Sequence, residues 1–231
     1  MAAKIDLTLH QSLTRKQREV LQSKSDFLLL SGVAGTAKTY TALARGFRKL
    51  TAGDVERIII IRSAVSCREI GHLPGTEEEK AAAYAIPYMQ LVHVLCPKTN
   101  YRSLESRKLV EFSLTSFLRG TTFTDAYVLV DEYENMSNKE LDTIITRVGN
   151  GTQLVLCGDS NQTDLKYQEA EGHKDILRIY ADMEEVHHIA FGIEDIVRSG
   201  FVKSYYEARA RLEGFTDSGD NVSWLRNNVA A

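Results

Sequence analysis

Five short apolar runs recur along the chain and limit what it can fold into: Phe27–Leu30, Arg57–Ile61, Tyr127–Val130, Gln153–Cys157 and Val186–Ala190. Their residues are apolar at nearly consecutive positions. A strand of that kind is covered on both faces, as in a parallel sheet flanked by helices. Helical patterns lie between the runs. One follows residue 39, and Ser137-Asn-Lys-Glu140 is a capping box opening a helix through Ile144 and Ile145 to Gly149. A third is predicted from about Asp195 to Leu212. Strands alternating with helices predict an α/β fold, a mainly parallel sheet with right-handed crossovers. Residues 62–84 are predicted to start as a loop around Gly71, Pro74 and Gly75 and to turn helical from Thr76. Residues 97–107 are predicted to be irregular, and both segments read as insertions at the sheet rim. Residues 214–231 lack periodicity and read as a frayed tail, or as a tail docking on a neighbouring subunit. With 231 residues, 43% of them apolar, the chain can bury one substantial core, expected over residues 1–213.

The first apolar run leads into Gly32-Val33-Ala34-Gly35-Thr36-Ala37-Lys38-Thr39, and Tyr40 opens the helical run after it. Strand, glycine-bearing loop and helix form the setting of a phosphate-binding loop. Backbone N–H groups of the turn and the positive end of the helix attract an anion. Lys38 is expected at the β- and γ-phosphates of ATP, with the Thr39 hydroxyl on Mg²⁺. The usual Gly-Lys pair is Ala37-Lys38 here. If that position is left-handed, Ala costs about 1–2 kcal/mol; if it is helical, Ala costs almost nothing. The helical, tolerated case is the expectation.

Three further stretches complete a nucleotide site. Val128-Leu-Val-Asp131-Glu132 is an apolar strand ending in two acids at the carboxyl edge of a sheet, where ligands bind in such folds. Asp131 is expected to hold Mg²⁺, and Glu132 to orient and deprotonate the attacking water. Gly158-Asp-Ser-Asn-Gln162 ends the next strand, and the Gln162 amide can sense the γ-phosphate as donor and acceptor. Arg198, expected at a helix start, fits an arginine finger, and equally a surface arginine. Gln17, ahead of the first strand, fits an adenine reader.

Composition narrows the rest. The net charge of −3 gives no bulk sign of nucleic-acid binding, although a local basic groove needs none. Cys67, Cys96 and Cys157 are too scattered for a metal site and odd in number, which points to a reducing compartment. The first residues lack the apolar core of a signal peptide, and no stretch approaches the about 20 apolar residues of a membrane span. A cytoplasmic protein without a membrane partner is the expectation.

Together these motifs resemble the PhoH-like family of P-loop ATPases, related to the core of superfamily 1 helicases. The likeness runs from about Leu13 to Leu212. It rests also on Arg62-Ser-Ala-Val65, Gly71-His-Leu-Pro-Gly75, Glu79-Lys80, Tyr84, Pro87-Tyr88, Phe117-Leu-Arg-Gly120 and Asp195-Ile-Val-Arg198. The resemblance implies a RecA-like fold with a single core, Mg-dependent ATP hydrolysis, and helicase-like action on RNA or single-stranded DNA, in a small phage-type member. Arg62 and Ser63 would contact backbone phosphates, with Arg68, Lys80 and Arg119 as weaker candidates. Superfamily 1 helicases bind ATP between two cores. A lone core therefore suggests a homo-oligomer, expected as a hexameric ring with Arg198 reaching the neighbour's nucleotide.

Three departures stand out: Ala37 for Gly, Glu134 for Gln in Asp131-Glu-Tyr-Glu134, and Thr121 for the second arginine after Arg119. A third carboxylate near the γ-phosphate would repel it unless Glu134 points away or is neutral. Two other functions remain open. One is a nucleotide-gated switch with little hydrolysis, motivated by Ala37 and Glu134. The other is a small-molecule kinase, disfavoured by the lack of an arginine-rich lid segment.

Overall fold

The computed structural model describes residues 5–9, 12–63, 77–118, 120, 122–159 and 167–212, apart from the side chains of 77–80, 167–174 and 212. Six strands form one sheet: β1 (Phe27–Gly32), β2 (Arg57–Arg62), β3 (Val110–Leu114), β4 (Ala126–Asp131), β5 (Gln153–Cys157) and β6 (Val186–Phe191). Their order is β3-β2-β4-β5-β1-β6, and every pairing is parallel. The expected α/β fold with a RecA-like parallel sheet is borne out.

Each inner strand divides its side chains between two cores, as the two-residue period of a strand requires. Leu28 and Leu30, Ile58 and Ile60, Tyr127 and Leu129, and Val155 and Cys157 face one side. There they meet α2 (Lys38–Ala52), α3 (Glu77–Leu95) and α4 (Tyr101–Ser106). Leu29, Ile59 and Ile61, Val128 and Val130, and Leu154 and Leu156 face the other, against α5 (Asn138–Ile145) and α6 (Tyr167–Asp182). Two covered faces explain why the runs read as continuous rather than alternating.

The structure corrects several boundaries. The helix expected from about Asp195 starts at Gly200 as α7 (Gly200–Leu212), so Arg198 lies in the turn ahead of it. Residues 97–107 are not irregular: Asn100 caps the short helix α4 by accepting from the Arg102 N–H. The helix opened by the Ser137 box ends at Ile145, short of Gly149. Helix α1 (Arg15–Gln22) is additional. Its capping box of Thr14 and Gln17 is the same signal as Ser137 and Glu140. Strand β3 is also additional. It lies at the sheet edge, where Glu111 and Ser113 need not be buried. Residues 64–76 of the predicted loop and the 214–231 tail lie outside the described residues.

Parallel strands bring their carboxyl ends to one rim. Arg62 is level with Asp131, Asp131 with Cys157, and Leu30 with Cys157. The loop strand β1 and the acid strand β4 are not neighbours, because β5 runs between them.

Candidate nucleotide site at the strand ends

The loop from Gly32 to Ala37 turns β1 into α2 within a tight backbone path. Gly32 has φ +124°, and a Cβ there would come 2.0 Å from the Phe191 carbonyl oxygen of β6, so only glycine fits. Lys38 folds back over the loop and donates to the carbonyls of Gly32 at 2.6 Å and Val33 at 2.9 Å. Thr36, fully buried, donates its hydroxyl to the Val33 carbonyl. Ala34 is exposed at the crest of the turn, and Tyr40 is partly buried against the core. Ala37 caps α2 without a side-chain bond, and the first helical bond runs from the Thr41 N–H to the Ala37 carbonyl. The N–H groups of Lys38 and Thr39 precede that first bond, as an anion site at a helix start requires.

Ala37 is left-handed, with φ 61° and ψ 37°. That overturns the expectation of a tolerated helical position: the alanine carries about 1–2 kcal/mol of backbone strain.

The acid strand meets the loop through its last residue. The Thr39 hydroxyl donates to Asp131 Oδ1 at 2.9 Å. The Tyr88 hydroxyl, from α3, donates to Asp131 Oδ2, also at 2.9 Å. Burial pushes the Asp131 carboxyl up, against the hydrogen bonds from Tyr88 and Thr39. A carboxylate beside a hydroxyl, both oxygen donors, suits a hard cation such as Mg²⁺. Among the described residues no group of three or more His, Cys, Asp or Glu could by itself hold a metal ion. A cation held here would accordingly draw part of its shell from water or phosphate, as Mg²⁺ does.

Glu132 follows in a left-handed conformation, φ 54°, at the start of a short 3-10 turn over Tyr133–Asn135. Its Oε2 pairs with Arg62 Nη2 and also accepts from Asn135 Nδ2 at 3.4 Å. The Arg62 guanidinium lies 5.6 Å from the centre of the Tyr84 ring.

Glu134 is turned inward beneath the rim. It is 8% exposed, and its Oε2 accepts the Asp159 N–H at 3.0 Å. A Cβ on Gly158 would sit 2.1 Å from that same oxygen, so glycine makes room for the acid. Burial pushes the Glu134 carboxyl up to about 8, against the backbone N–H bonds it accepts. At neutral pH it is mostly the uncharged acid, close in shape and hydrogen bonding to the glutamine of the resembling pattern. The feared repulsion is thereby removed. The Lys38 ammonium is in turn pushed down by burial, opposed first by the nearby Asp159 carboxylate.

Gln17 reaches the loop, but as a brace. Its Nε2 donates to the Thr36 carbonyl at 3.1 Å, and its Oε1 accepts the Thr14 N–H at 3.0 Å. At 3% exposure its amide is held against the protein by both atoms and braces the loop. Ser63, 2% exposed, donates to Glu140 Oε1, as does Thr115, so it does not present a hydroxyl to a phosphate. Arg198 lies beside its own loop. A Cβ on Gly35 would come 3.5 Å from its stem, and the Val197 N–H donates to the Gly35 carbonyl. Arg198 thus stands next to the chain's own phosphate loop, in the turn ahead of α7. Gln162, Arg68 and Arg119 lie outside the described residues, as does the side chain of Lys80.

Sequence reasoning missed Tyr88 as a partner of Asp131, Tyr84 as a neighbour of Arg62, and the pairing of Arg62 with Glu132. No local signal carries these contacts, since each joins elements distant in sequence.

Comparison with known proteins agrees with this arrangement. A sequence profile described as PhoH-like protein matches residues 9–209. A PhoH-like protein of Mycobacterium bovis is 33% identical over 183 residues, covering 79% of this chain and 52% of the relative. Protein PhoH of Escherichia coli K12 is 33% identical over 184 residues, covering 78% of this chain and 52% of the relative. The chain thus spans about half the length of these curated relatives. Among solved structures, the large terminase of the thermophilic bacteriophage D6E aligns with a TM-score of 0.50 at 15% identity. That alignment covers 85% of this chain and 50% of the terminase, a likeness of fold.

Proposed function

Because the chain belongs to the PhoH-like family, we propose that it binds ATP with Mg²⁺ at this rim and hydrolyses it in the service of RNA or single-stranded DNA. The observation that carries the reading is the bond from Thr39 on the loop helix to Asp131 on the acid strand, across the intervening β5. It joins the two motifs on opposite sides of the strand between them, as a phosphate-and-magnesium site needs.

In this reading Lys38 and the first-turn N–H groups of α2 hold the β- and γ-phosphates. Thr39 and Asp131 hold Mg²⁺, which when bound screens phosphate charge. Glu132 takes a proton from water while the water oxygen bonds to the γ-phosphorus. The bond to the bridging oxygen breaks, and its electron pair leaves with ADP. Gln162 is proposed as the γ-phosphate sensor, and Arg198 as a guanidinium beside the chain's own loop. Arg62, with Arg68, Lys80 and Arg119, would follow the nucleic-acid backbone. A homo-oligomer, a hexameric ring in its closed form, is supported by Phe201, 82% exposed on α7 just beyond Arg198.

Substitution of Lys38 by Ala is expected to lower ATP turnover by about a hundredfold or more, the scale lost with one transition-state donor. Turnover measured with and without single-stranded RNA or DNA tests the partner. ATPase unchanged by either nucleic acid would overturn the nucleic-acid part, and unchanged turnover in Lys38→Ala would overturn the site.

A switch that hydrolyses little is favoured by one observation, the engagement of Glu132 by Arg62. If Glu132→Gln and the parent protein turn over equally slowly, with nucleic acid and without, the switch reading holds instead.

A further inference from the structure

We propose that Arg62 is a latch on Glu132, released when the backbone phosphate of a single-stranded nucleic acid takes the guanidinium. The proposal rests on the nucleic-acid-dependent ATPase reading above and names how that site is regulated.

The geometry comes from strand order. β2 and β4 are neighbours with Arg62 level with Asp131, so Arg62 ends its strand one residue short of the register of Glu132. Its Nη2 pairs with Glu132 Oε2, the oxygen that Asn135 also approaches. The carboxylate is thereby held toward β2, with one oxygen occupied by two donors. The same oxygen cannot receive a proton from water while it serves them. Glu132 is also held in a left-handed conformation, and such outliers gather at functional sites.

The arginine is built to exchange partners. A guanidinium has five N–H donors and favours phosphate as readily as carboxylate. Here one arm meets Glu132, while the Nε–H is buried with no acceptor among the described residues. Tyr84 lies over the guanidinium and supports its plane whichever anion it holds. The side chains of the pair are 17% and 36% exposed for Arg62 and Glu132, so a phosphate can reach it from solvent. Arg62 is a positioning residue: it acts on the reaction through Glu132. Once Glu132 is released, it takes the water proton as the oxygen–phosphorus bond forms and ADP departs, then returns that proton to solvent.

Linkage makes the latch reciprocal. Whatever removes the charge of Glu132 must tighten nucleic-acid binding; turnover is not bound by that reciprocity, and it rises when Arg62 is removed because the Glu132 carboxylate is freed to take the proton. With Arg62→Ala, ATP turnover without nucleic acid is expected to rise of order tenfold in kcat with little change in KM. Stimulation by poly(U) or poly(dT) should be lost, and Arg62→Lys should restore part of it. Independently of turnover, Glu132→Gln is expected to bind labelled poly(U) or poly(dT) about tenfold more tightly than the parent. The Arg62→Ala, Glu132→Gln double variant should show no such gain. If Arg62→Ala melts early, Arg62→Gln takes its place.

A fall in basal turnover on removing Arg62, with Glu132→Gln binding nucleic acid no tighter than the parent, would overturn the latch. The ATPase reading would survive that result, with Arg62 simply orienting Glu132. A parent protein that hydrolyses ATP yet binds neither polymer removes the nucleic-acid reading and the latch together.

Discussion

The middle of the sheet and its carboxyl rim are made by the same strands and obey different rules. In the middle, side chains alternate between two apolar cores, and β4 and β5 are buried along their whole length. At the rim, where those strands end, Ala37 and Glu132 are left-handed without being glycine, and Asp131 and Glu134 are buried carboxyls pushed up by that burial. In the middle, local preference and packing agree. At the rim they conflict, as is common where groups are held for chemistry rather than stability. The middle therefore has stability to lose, and the rim has stability to gain.

A large loss should come from the middle. Leu129, fully buried on β4, faces the α2 side of the sheet. Leu129→Ala is expected to cost about 2–5 kcal/mol in a denaturant or thermal melt. Nucleotide affinity measured well below the melt should change little, because Leu129 lies inside β4, two residues before the strand ends at Asp131. An affinity that falls in step with stability would break the division between the two regions.

At the rim the sign reverses. Glu134→Gln should stabilise the protein, and the gain should depend on pH. The folded state keeps the Glu134 proton up to about pH 8, whereas an exposed glutamate loses it near its ordinary 4.5. Between those values the folded state holds more protons than the unfolded chain, so the parent loses stability as pH rises. Glutamine has no such dependence. Melting curves should nearly coincide at pH 4, then separate until about pH 8, with Glu134→Gln higher by about 5 kcal/mol, or roughly 10–20 °C. A constant separation across that range would mean that the carboxyl is not held neutral.

The sequence already shows much of the middle and only part of the rim, for a physical reason. Strands β1, β2, β4 and β5 announce themselves because burial on two faces forces consecutive apolar residues, whereas β6, at the other edge, shows only the broken run Val186-His-His-Ile-Ala190. Edge strand β3 does not, since Glu111 and Ser113 sit where one side stays open. The Thr14 and Gln17 capping box, and Asn100 ahead of α4, were readable signals of helices. Along the rim, the loop and the acid pair are local motifs and are legible. The partners are not: Tyr88 on Asp131 and Arg62 on Glu132 depend on strand order and helix placement. Gln17 and Ser63 show the converse. Their residue types suit a ligand, yet burial and neighbouring carbonyl or carboxylate groups commit them to the fold.

The smallest effect is the most discriminating. Ala37→Gly removes the Cβ from a left-handed position, relieving about 1–2 kcal/mol of strain in the folded chain. Glycine also widens the unfolded ensemble, which returns about 0.4–1 kcal/mol. The net gain in stability should be about 1 kcal/mol or less. Its effect on ATP separates two versions of the loop. If the loop already holds its binding shape, with Lys38 over Gly32 and Val33, the strain exists before ATP arrives. Ala37→Gly should then raise the melting temperature slightly and leave the ATP Kd within a few-fold of the parent. If the left-handed turn forms only around phosphate, the strain is charged to binding. The variant should then bind about tenfold more tightly with no gain in stability. The Lys38 contacts and the uncapped first turn of α2 favour the preformed loop, so the expected result is a shifted melt and a nearly unchanged Kd.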